Sequence, residues 1–142
     1  MKSEKPLSFS GHDSFALRHG WLEKAYRAVA IDKVVNPFST QDAIVKFGVG
    51  KNMVNAIKHW STSSNFLLKT KEGYQVSEYA ESLMSNFDPY LENMDSLWKI
   101  HYETAKNISN TTVYWIFSLL NIPSFNKEYL ELKLREFCVE QG

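Results

Sequence analysis

Apolar positions repeat at helical spacing along most of the chain and alternate in one short stretch. The first helical pattern begins near Ser14. Its apolar face contains Phe15, Leu17, Leu22, Tyr26 and Val29. Asp13 or Ser14 is a suitable N-cap, because a short polar side chain accepts a hydrogen bond from the first turn. Asn36-Pro37 ends this region, since the residue before a proline disfavours the helical conformation.

The stretch 39–76 carries the most specific pattern in the chain. Ser39 is a suitable N-cap for a short helix that we predict to end at Phe47. Gly48 then fits the left-handed conformation that commonly follows the last turn of a helix. We expect the second glycine, Gly50, to leave room for two helices to approach closely.

The next helix, predicted over residues 51–61, has two distinct faces. Its inner face contains Met53, Val54, Ile57 and Trp60 at helical spacing. Its outer face contains Lys51, Asn52, Asn55, Lys58 and His59. Side chains on one face of a helix point in the same direction, and amides and lysines recognise base edges and phosphates. The outer face therefore predicts a recognition helix that enters a DNA groove.

Two short strands follow, predicted over 66–70 and 74–76, around a tight turn with Gly73 at a positive-φ position. Lys69 and Lys71 lie at or near the tip of this hairpin, the wing, where they would contact the DNA backbone or the minor groove. Helix, glycine turn, two-faced helix and hairpin follow one another in the order of a winged helix-turn-helix. We therefore predict a mainly α protein with a small β-hairpin.

The second half of the chain is predicted to be helical throughout. Ser77 is a suitable N-cap for a helix over 78–85, and a hinge over 85–90 follows it. We predict a winged helix-turn-helix domain over 1–86 and a C-terminal helical subdomain over 87–142, packed on the first. A last amphipathic helix is predicted to begin after its N-cap, Asn126.

An aromatic stripe runs through the helical half. It contains Trp98, His101, Tyr102, Tyr114, Trp115 and Phe117. Such rings can stack on unpaired bases, but aromatic residues at helical spacing inside apolar segments are typical of a core. The acidic residues nearby also disfavour phosphate. We predict that the stripe is buried, with partner binding by its exposed edge as the alternative.

The net charge is zero, but the charged residues are unevenly distributed. Residues 39–73 hold five lysines against two acidic residues, a local charge of +3, whereas residues 74–104 have a local charge of −5. A locally basic face suits contact with phosphates. A solvated lysine face, or a winged domain that docks proteins, would give the same local charge. The charge pattern by itself therefore supports DNA binding and a solvated face about equally.

The cluster Gly11-His12-Asp13-Ser14 contains the residue types of a catalytic triad, but residues adjacent in sequence do not form a triad by that fact. We expect it to hold the start of the first helix by hydrogen bonds. The four histidines lack metal-ligand spacing, and the chain has no glycine-rich phosphate loop. We therefore expect no enzyme, no cofactor and no metal site.

Cys138 is the only cysteine, which excludes an internal disulfide and a cysteine-cluster zinc site. No apolar run approaches the ~20 residues that a membrane span requires. The N-terminal sequence lacks the apolar core of a signal peptide. We therefore expect a cytoplasmic protein with no membrane contact.

Three stretches together resemble one bacterial family, the DUF4007 domain proteins. They are FSGHDSFALRHGWLEKAY, FGVGKNMVNAIKHW, and DPYLENMDSLWKIHYETAKN with TTVYWIF. The resemblance extends from Phe9 to about Phe137. Members of this family, named for an unknown function, tend to lie beside genes for DNA phosphorothioate modification, including sulfurtransferase-like enzymes, and near phage-defence systems. They usually continue into a further C-terminal region, so the chain is expected to be either the N-terminal part of a longer protein or a short member of the family.

The resemblance implies a DNA-related role and provides no catalytic residues. We expect a DNA-binding accessory protein of a phosphorothioate modification or defence system, with duplex DNA and other system proteins as partners. A homodimer that reads paired half-sites is compatible with this fold. The alternative is a scaffold that docks a sulfurtransferase or another component without contacting DNA.

Overall fold

The computed structural model describes residues 6–141, which are mainly helical with a two-stranded antiparallel sheet. The helices are α1 (Trp21–Tyr26), α2 (Thr40–Phe47), α3 (Lys51–Ser63), α4 (Glu78–Ser82), α5 (Met94–Ala105), α6 (Thr111–Tyr114) and α7 (Lys127–Gln141). The strands are β1 (Leu67–Lys69) and β2 (Tyr74–Val76). Helices α1, α4 and α6 continue into the π-helical segments Arg27–Ile31, Leu83–Phe87 and Trp115–Leu119. Within residues 6–141, no helix has both the length and the apolar character to cross a membrane.

The first helix starts later than the sequence predicts. Asp13 and Ser14 have φ angles of 47° and 63°, and Gly20, at φ 83°, directly precedes α1. Positive φ angles are incompatible with a right-handed helix. The predicted start near Ser14 and the predicted caps are therefore wrong. Phe15 lies in an irregular segment and still packs on the core. Its place in the sequence therefore matched the apolar spacing of a helix.

The turn between α2 and α3 follows the prediction in most respects. Helix α2 ends at Phe47, and Gly48 is left-handed with φ 66°. Lys24 Nζ donates a hydrogen bond of 2.8 Å to the carbonyl oxygen of Phe47 near that helix end. Helix α3 ends at Ser63 rather than at residue 61. A Cβ at Gly50 would meet nothing within 4 Å, so the predicted close helix approach there is wrong.

The hairpin forms as predicted and is joined to the segment before α2. Its register pairs Leu67 with Val76, Leu68 with Gln75 and Lys69 with Tyr74. The backbone N–H of Tyr74 donates to the carbonyl oxygen of Val35 at 2.9 Å. Gly73 has a nearly extended φ of 159°, and a Cβ there would lie 2.2 Å from Val35 O. The positive φ is as predicted, and the close approach of the Val35 backbone is a second reason for a glycine here.

In the part of the chain that the structure describes, two hydrophobic clusters form the core, and α1 contributes to both. The first cluster includes Trp21 and Ala25 of α1 together with buried residues of α2, α3 and β1. The second cluster contains Leu22, Tyr26, Phe66, Ala80, Met84, Leu91 and Ile100. This second cluster joins residues on both sides of position 86. The predicted domain boundary stays a prediction, but apolar packing continues across it.

The predicted hinge over 85–90 contains a buried residue with several backbone partners. The carboxylate of Asp88 accepts hydrogen bonds from the backbone N–H groups of Glu92 and Asn93 at 3.0 and 2.9 Å. Burial alone would raise the pKa of Asp88, but these hydrogen bonds outweigh it and lower the pKa. Ser77 and Asn126 cap α4 and α7 as predicted, through Ala80 N–H and Tyr129 N–H.

The aromatic stripe is only partly buried. Trp115 is buried and His101 and Tyr114 are half-buried, whereas Trp98, Tyr102 and Phe117 are 64%, 58% and 61% exposed. The prediction that the stripe belongs to the core is wrong for these three. Helix α5 instead buries a face that includes polar side chains. The buried residues of that helix are Ser96, Ile100, Glu103, Thr104 and Ala105.

Candidate nucleic-acid interface

The outer face of α3 forms one exposed polar surface. Four residues of this face are exposed, namely Lys51, Asn52, Asn55 and Lys58. On the opposite side of the helix, Val54 and Ile57 are buried. Within residues 6–141, neither lysine takes part in an ion pair. The structure thus places these four predicted site residues together on one helix face. Their contact with DNA stays a prediction.

His59 was predicted to belong to the same face, but it is half-buried at the edge of it. Its ring meets the rings of His12 and Trp60 edge-on, at centroid distances of 5.5 and 5.1 Å. A Cβ at Gly11 would lie 2.7 Å from His59 Nδ1, so the N-terminal turn lies directly against this ring. Burial first, and then the nearby His12, lower the pKa of His59. The side chain is therefore mostly neutral at pH 7.

A turn over residues 11–14 covers the C-terminal half of α3. The backbone N–H of Ser14 donates to His12 Nδ1 at 3.0 Å, and Phe15 N–H donates to His12 O at 2.8 Å. Trp60 Nε1–H donates to Phe15 O at 2.9 Å and fastens the turn to α3. The sequence predicted that this cluster would hold the start of α1. It instead packs against α3, so that prediction is wrong. Local sequence gives no signal for this contact, because Phe15 and Trp60 lie 45 residues apart.

The turn and α3 together border a groove of about 330 Å³. Its lining residues are Gly11, Asp13, Asn55, Lys58, His59 and Thr62. Asp13 and Thr62 were not predicted as site residues. The folded turn brings Asp13 to the predicted face, and Thr62 belongs to the last turn of α3, which extends beyond the predicted end at residue 61. The carboxylate of Asp13 disfavours a phosphate inside the groove. Phosphate contact is therefore expected from Lys51 and Lys58 at the exposed edge.

The predicted wing residues Lys69 and Lys71 are exposed on the hairpin. Lys69 pairs with Tyr74, whose ring packs edge-on against Phe38 at a centroid distance of 5.1 Å. Together with the hydrogen bond from Tyr74 to Val35, this contact fixes the hairpin to the segment that leads into α2. The two lysines therefore project from a hairpin that is attached to the segment preceding α2.

Within residues 6–141, no three His, Cys, Asp or Glu side chains lie close enough together to hold a metal ion. The predicted site residues provide amides, ammonium groups and one neutral imidazole. These groups form hydrogen bonds to base edges and ion pairs with phosphates.

The family model of DUF4007, described as a protein of unknown function, matches residues 9–142. This chain belongs to the DUF4007 family. No curated protein sequence matches it. The resemblance inferred from the three sequence stretches is therefore confirmed over nearly the whole chain.

Two solved structures are similar to this DUF4007 protein, and both carry the name SspB. A magnesium ion-bound SspB crystal structure is 31% identical with a TM-score of 0.74, over 87% of this chain and 40% of that chain. A second SspB crystal structure is 30% identical with a TM-score of 0.77, over 91% of this chain and 42% of that chain. The DUF4007 chain thus spans about two fifths of the length of SspB.

Proposed function

We propose that this DUF4007 protein binds duplex DNA, with α2, α3 and the hairpin acting as a winged helix-turn-helix. It would do so as an accessory protein of a bacterial DNA phosphorothioate modification or defence system. The setting comes from the family resemblance. The observation that carries DNA binding is the outer face of α3, where two lysines and two asparagines are exposed beside buried Val54 and Ile57.

The chemistry of this face suits both modes of DNA contact. The amides of Asn52 and Asn55 can pair with the edge of adenine in the major groove. Lys51 and Lys58 can reach phosphates or guanine, and phosphate contacts fix the register of the protein on the duplex. The hairpin would then contact the backbone through Lys69 and Lys71.

The number of available lysines limits the electrostatic part of the affinity. Two lysines on α3 and two on the hairpin can neutralise about four phosphates, which corresponds to a slope of log K against log salt of about −3 to −4. Binding should therefore be measurable at low salt and weak at physiological salt. This expectation distinguishes the protein from strongly basic DNA-binding domains, since its net charge is zero.

Charge reversal on α3 tests the proposal. In a gel shift at several salt concentrations, a Lys51→Glu, Lys58→Glu double variant should bind duplex DNA at least about tenfold more weakly. Its salt slope should be smaller by about 2, because two phosphate contacts are lost.

The matched control is Lys127→Glu, Lys133→Glu on α7, which changes the net charge by the same amount. It should bind DNA nearly as well as the parent chain, since α7 is not part of the proposed interface. Equal binding by the α3 variant and the parent would contradict the proposed interface. Absence of binding by the parent chain, even at low salt, would contradict the proposed function.

A second candidate function is a scaffold that docks a sulfurtransferase or another system component without direct DNA contact. The exposed apolar residues of the helical half favour it: Met94, Leu97, Trp98, Tyr102 and Phe117. Exposed apolar patches of this kind commonly mark interaction surfaces. Leu97 and Phe117 also line an apolar cavity of about 590 Å³. Co-purification of a co-expressed sulfurtransferase by a chain that binds no DNA would favour the scaffold.

A further inference from the structure

A cavity of about 230 Å³ lies between residues 8–16, the C-terminal half of α3 and the start of α6. We call it the N-terminal cavity. Phe9, Phe15 and Trp60 contribute flat aromatic rings to its lining, and His59 and Asn110 contribute polar groups. The cavity lies against the same helix that carries the proposed DNA-binding face, although none of the predicted DNA contacts except His59 lines it.

Two polar atoms of the lining residues have no hydrogen-bond partner within residues 6–141. They are His59 Nε2 and Asn110 Nδ2, and both atoms are buried. The whole side chain of Asn110 is nearly inaccessible, with 6% of the residue exposed. Buried polar atoms in folded proteins are almost always paired, because an unpaired one loses its hydrogen bonds to water. A rotation of either side chain toward the cavity would let a bound group with hydrogen-bonding atoms pair them.

Hydrogen bonds hold the walls of the cavity in place. Ser8 and Thr111 form two of them, from Ser8 N–H to Thr111 Oγ1 at 2.7 Å and from Thr111 N–H to Ser8 O at 3.1 Å. On the other side, Trp60 Nε1–H donates to Phe15 O at 2.9 Å. The N-terminal segment is thus fixed to both α6 and α3. The cavity is a built site rather than a gap beneath a loose strand.

We propose that the N-terminal cavity binds a single unpaired nucleobase of the DNA strand that lies along α3. This inference rests on the proposed function. Aromatic rings stack on any base, and the amide of Asn110 and the imidazole of His59 can form hydrogen bonds with the base edge. The volume is sufficient, since a protein cavity of about 150 Å³ accommodates benzene.

The position of the cavity fits a nucleotide that has left a duplex on the outer face of α3. His59 lines both the N-terminal cavity and the groove that contains Asn55 and Lys58. A strand whose phosphate contacts Lys58 would therefore have the cavity one side chain away. Extruding a base from a duplex costs free energy, and the cost is smallest for a base that is already unpaired. The expected ligand is thus a bulged or mismatched nucleotide.

Three duplexes that differ only at one central position test the inference with the full chain. One is fully paired, one has a single bulged nucleotide, and one has a bulged abasic nucleotide, which keeps the backbone but lacks the base. The bulged duplex should bind about tenfold more tightly than the paired one, because one base stacks on aromatic side chains. The abasic bulge should lose that preference. Equal affinity for the base-containing and abasic bulges would overturn the inference.

Two substitutions in the cavity provide independent evidence. Ala16→Trp, at an exposed rim position, should fill the cavity, and Asn110→Leu removes the unpaired amide. Each should abolish the preference for the bulge while keeping the affinity for paired DNA within about twofold. Val139→Trp, at a position on α7 that is 81% exposed, is the control and should keep the preference. An unchanged preference in Ala16→Trp would overturn the inference.

The two proposals can fail separately. A chain that binds paired DNA but shows no preference for the bulge overturns only the inference about the N-terminal cavity, which would then contain water. A chain that binds none of the three duplexes overturns the proposed function and this inference with it. Tighter binding of the bulged duplex, together with loss of that preference in Asn110→Leu, supports both proposals.

Discussion

His59 is a histidine whose charge state is set by tertiary contacts. Its ring lies against His12 and Trp60, and Asp13 and Lys58 line the groove beside it. Burial and the nearby His12 lower its pKa from the ordinary value of about 6.5. On acidification, the unfolded chain therefore takes up a proton at this position before the folded chain does. The contribution of His59 to the free energy of unfolding should therefore decrease as the pH falls below about 6.5.

The melting temperature should accordingly fall between about pH 7.5 and pH 5.5, before most carboxylates begin to titrate. His59→Gln, which keeps a polar side chain without a titrating group, should show a smaller decrease over this interval. Circular dichroism melting in a pH series measures both chains. Parallel decreases in the two chains would show that His59 is not the source of the acid sensitivity.

Glu103 is a second residue whose burial could not be predicted from the spacing of apolar residues. Its carboxylate accepts hydrogen bonds from Lys106 and Asn65 and forms an ion pair with Lys99. Burial alone would raise the pKa of Glu103, but the two lysines and Asn65 outweigh it and lower the pKa. The residue fastens α5 to the segment that follows α3. Its ionised form therefore contributes to the packing of the two halves.

At the scale of the elements, the hairpin depends on the close approach of Gly73 to Val35. Alanine at this position would place its Cβ 2.2 Å from Val35 O, far inside any real contact, so the hairpin must shift. Gly73→Ala should lower the free energy of unfolding by about 1–3 kcal/mol. It should also weaken the hydrogen bond from Tyr74 N–H to Val35 O, which amide hydrogen exchange at Tyr74 detects.

Gly48→Ala is the matched control, because Gly48 has φ 66° but its Cβ would meet nothing within 4 Å. Strain in the left-handed conformation should cost about 1 kcal/mol without moving the hairpin. Exchange at the amide of Tyr74 should then remain slow after correction for global stability. If Gly73→Ala also leaves that exchange unchanged, the contact with Val35 does not position the hairpin.

The elements that could be predicted from the sequence are those with local signals. The N-cap Ser39, the left-handed Gly48 and the alternating hairpin depend on neighbours within a few residues, so α2, α3 and the strands were predicted nearly correctly. The late start of α1 depends on the positive φ angles of the turn that packs on α3. The contact from Trp60 to Phe15 spans 45 residues and leaves no local pattern.

The same reasoning explains what was missed in the candidate site. Hydrophobic periodicity correctly separated the two faces of α3, and therefore found Lys51, Asn52, Asn55 and Lys58 together. It assigned His59 to the open face, because periodicity cannot show which other segment covers the edge of a helix. The prediction that the aromatic stripe is buried was wrong because α5 buries a different face, which includes Glu103. The charged partners of Glu103 are not part of the apolar pattern, so periodicity could not reveal this burial.

At the scale of the whole molecule, the second hydrophobic cluster connects the predicted winged domain to the helical half. This cluster contains Leu22 and Tyr26 of α1, Phe66 after α3, and Leu91 and Ile100. A fragment that ends at residue 86 would expose the first three of these side chains. The proposed DNA-binding face is therefore expected to depend on α5, although α5 lies outside the segment that would contact DNA.

This packing predicts that the two halves unfold together. Ile100 is 4% exposed, and Ile100→Ala should lower the free energy of unfolding by about 2–4 kcal/mol, because a cavity replaces the lost side chain. The loss should appear in one transition, seen equally by hydrogen exchange in α3 and in α5. Val45→Ala, at a position that is 83% exposed on α2, is the control and should change stability by less than about 0.5 kcal/mol. A fragment of residues 1–86 that melts cooperatively near the temperature of the full chain would contradict the prediction. That outcome would make the winged segment an independent DNA-binding domain, and the cluster around Ile100 a contact between domains.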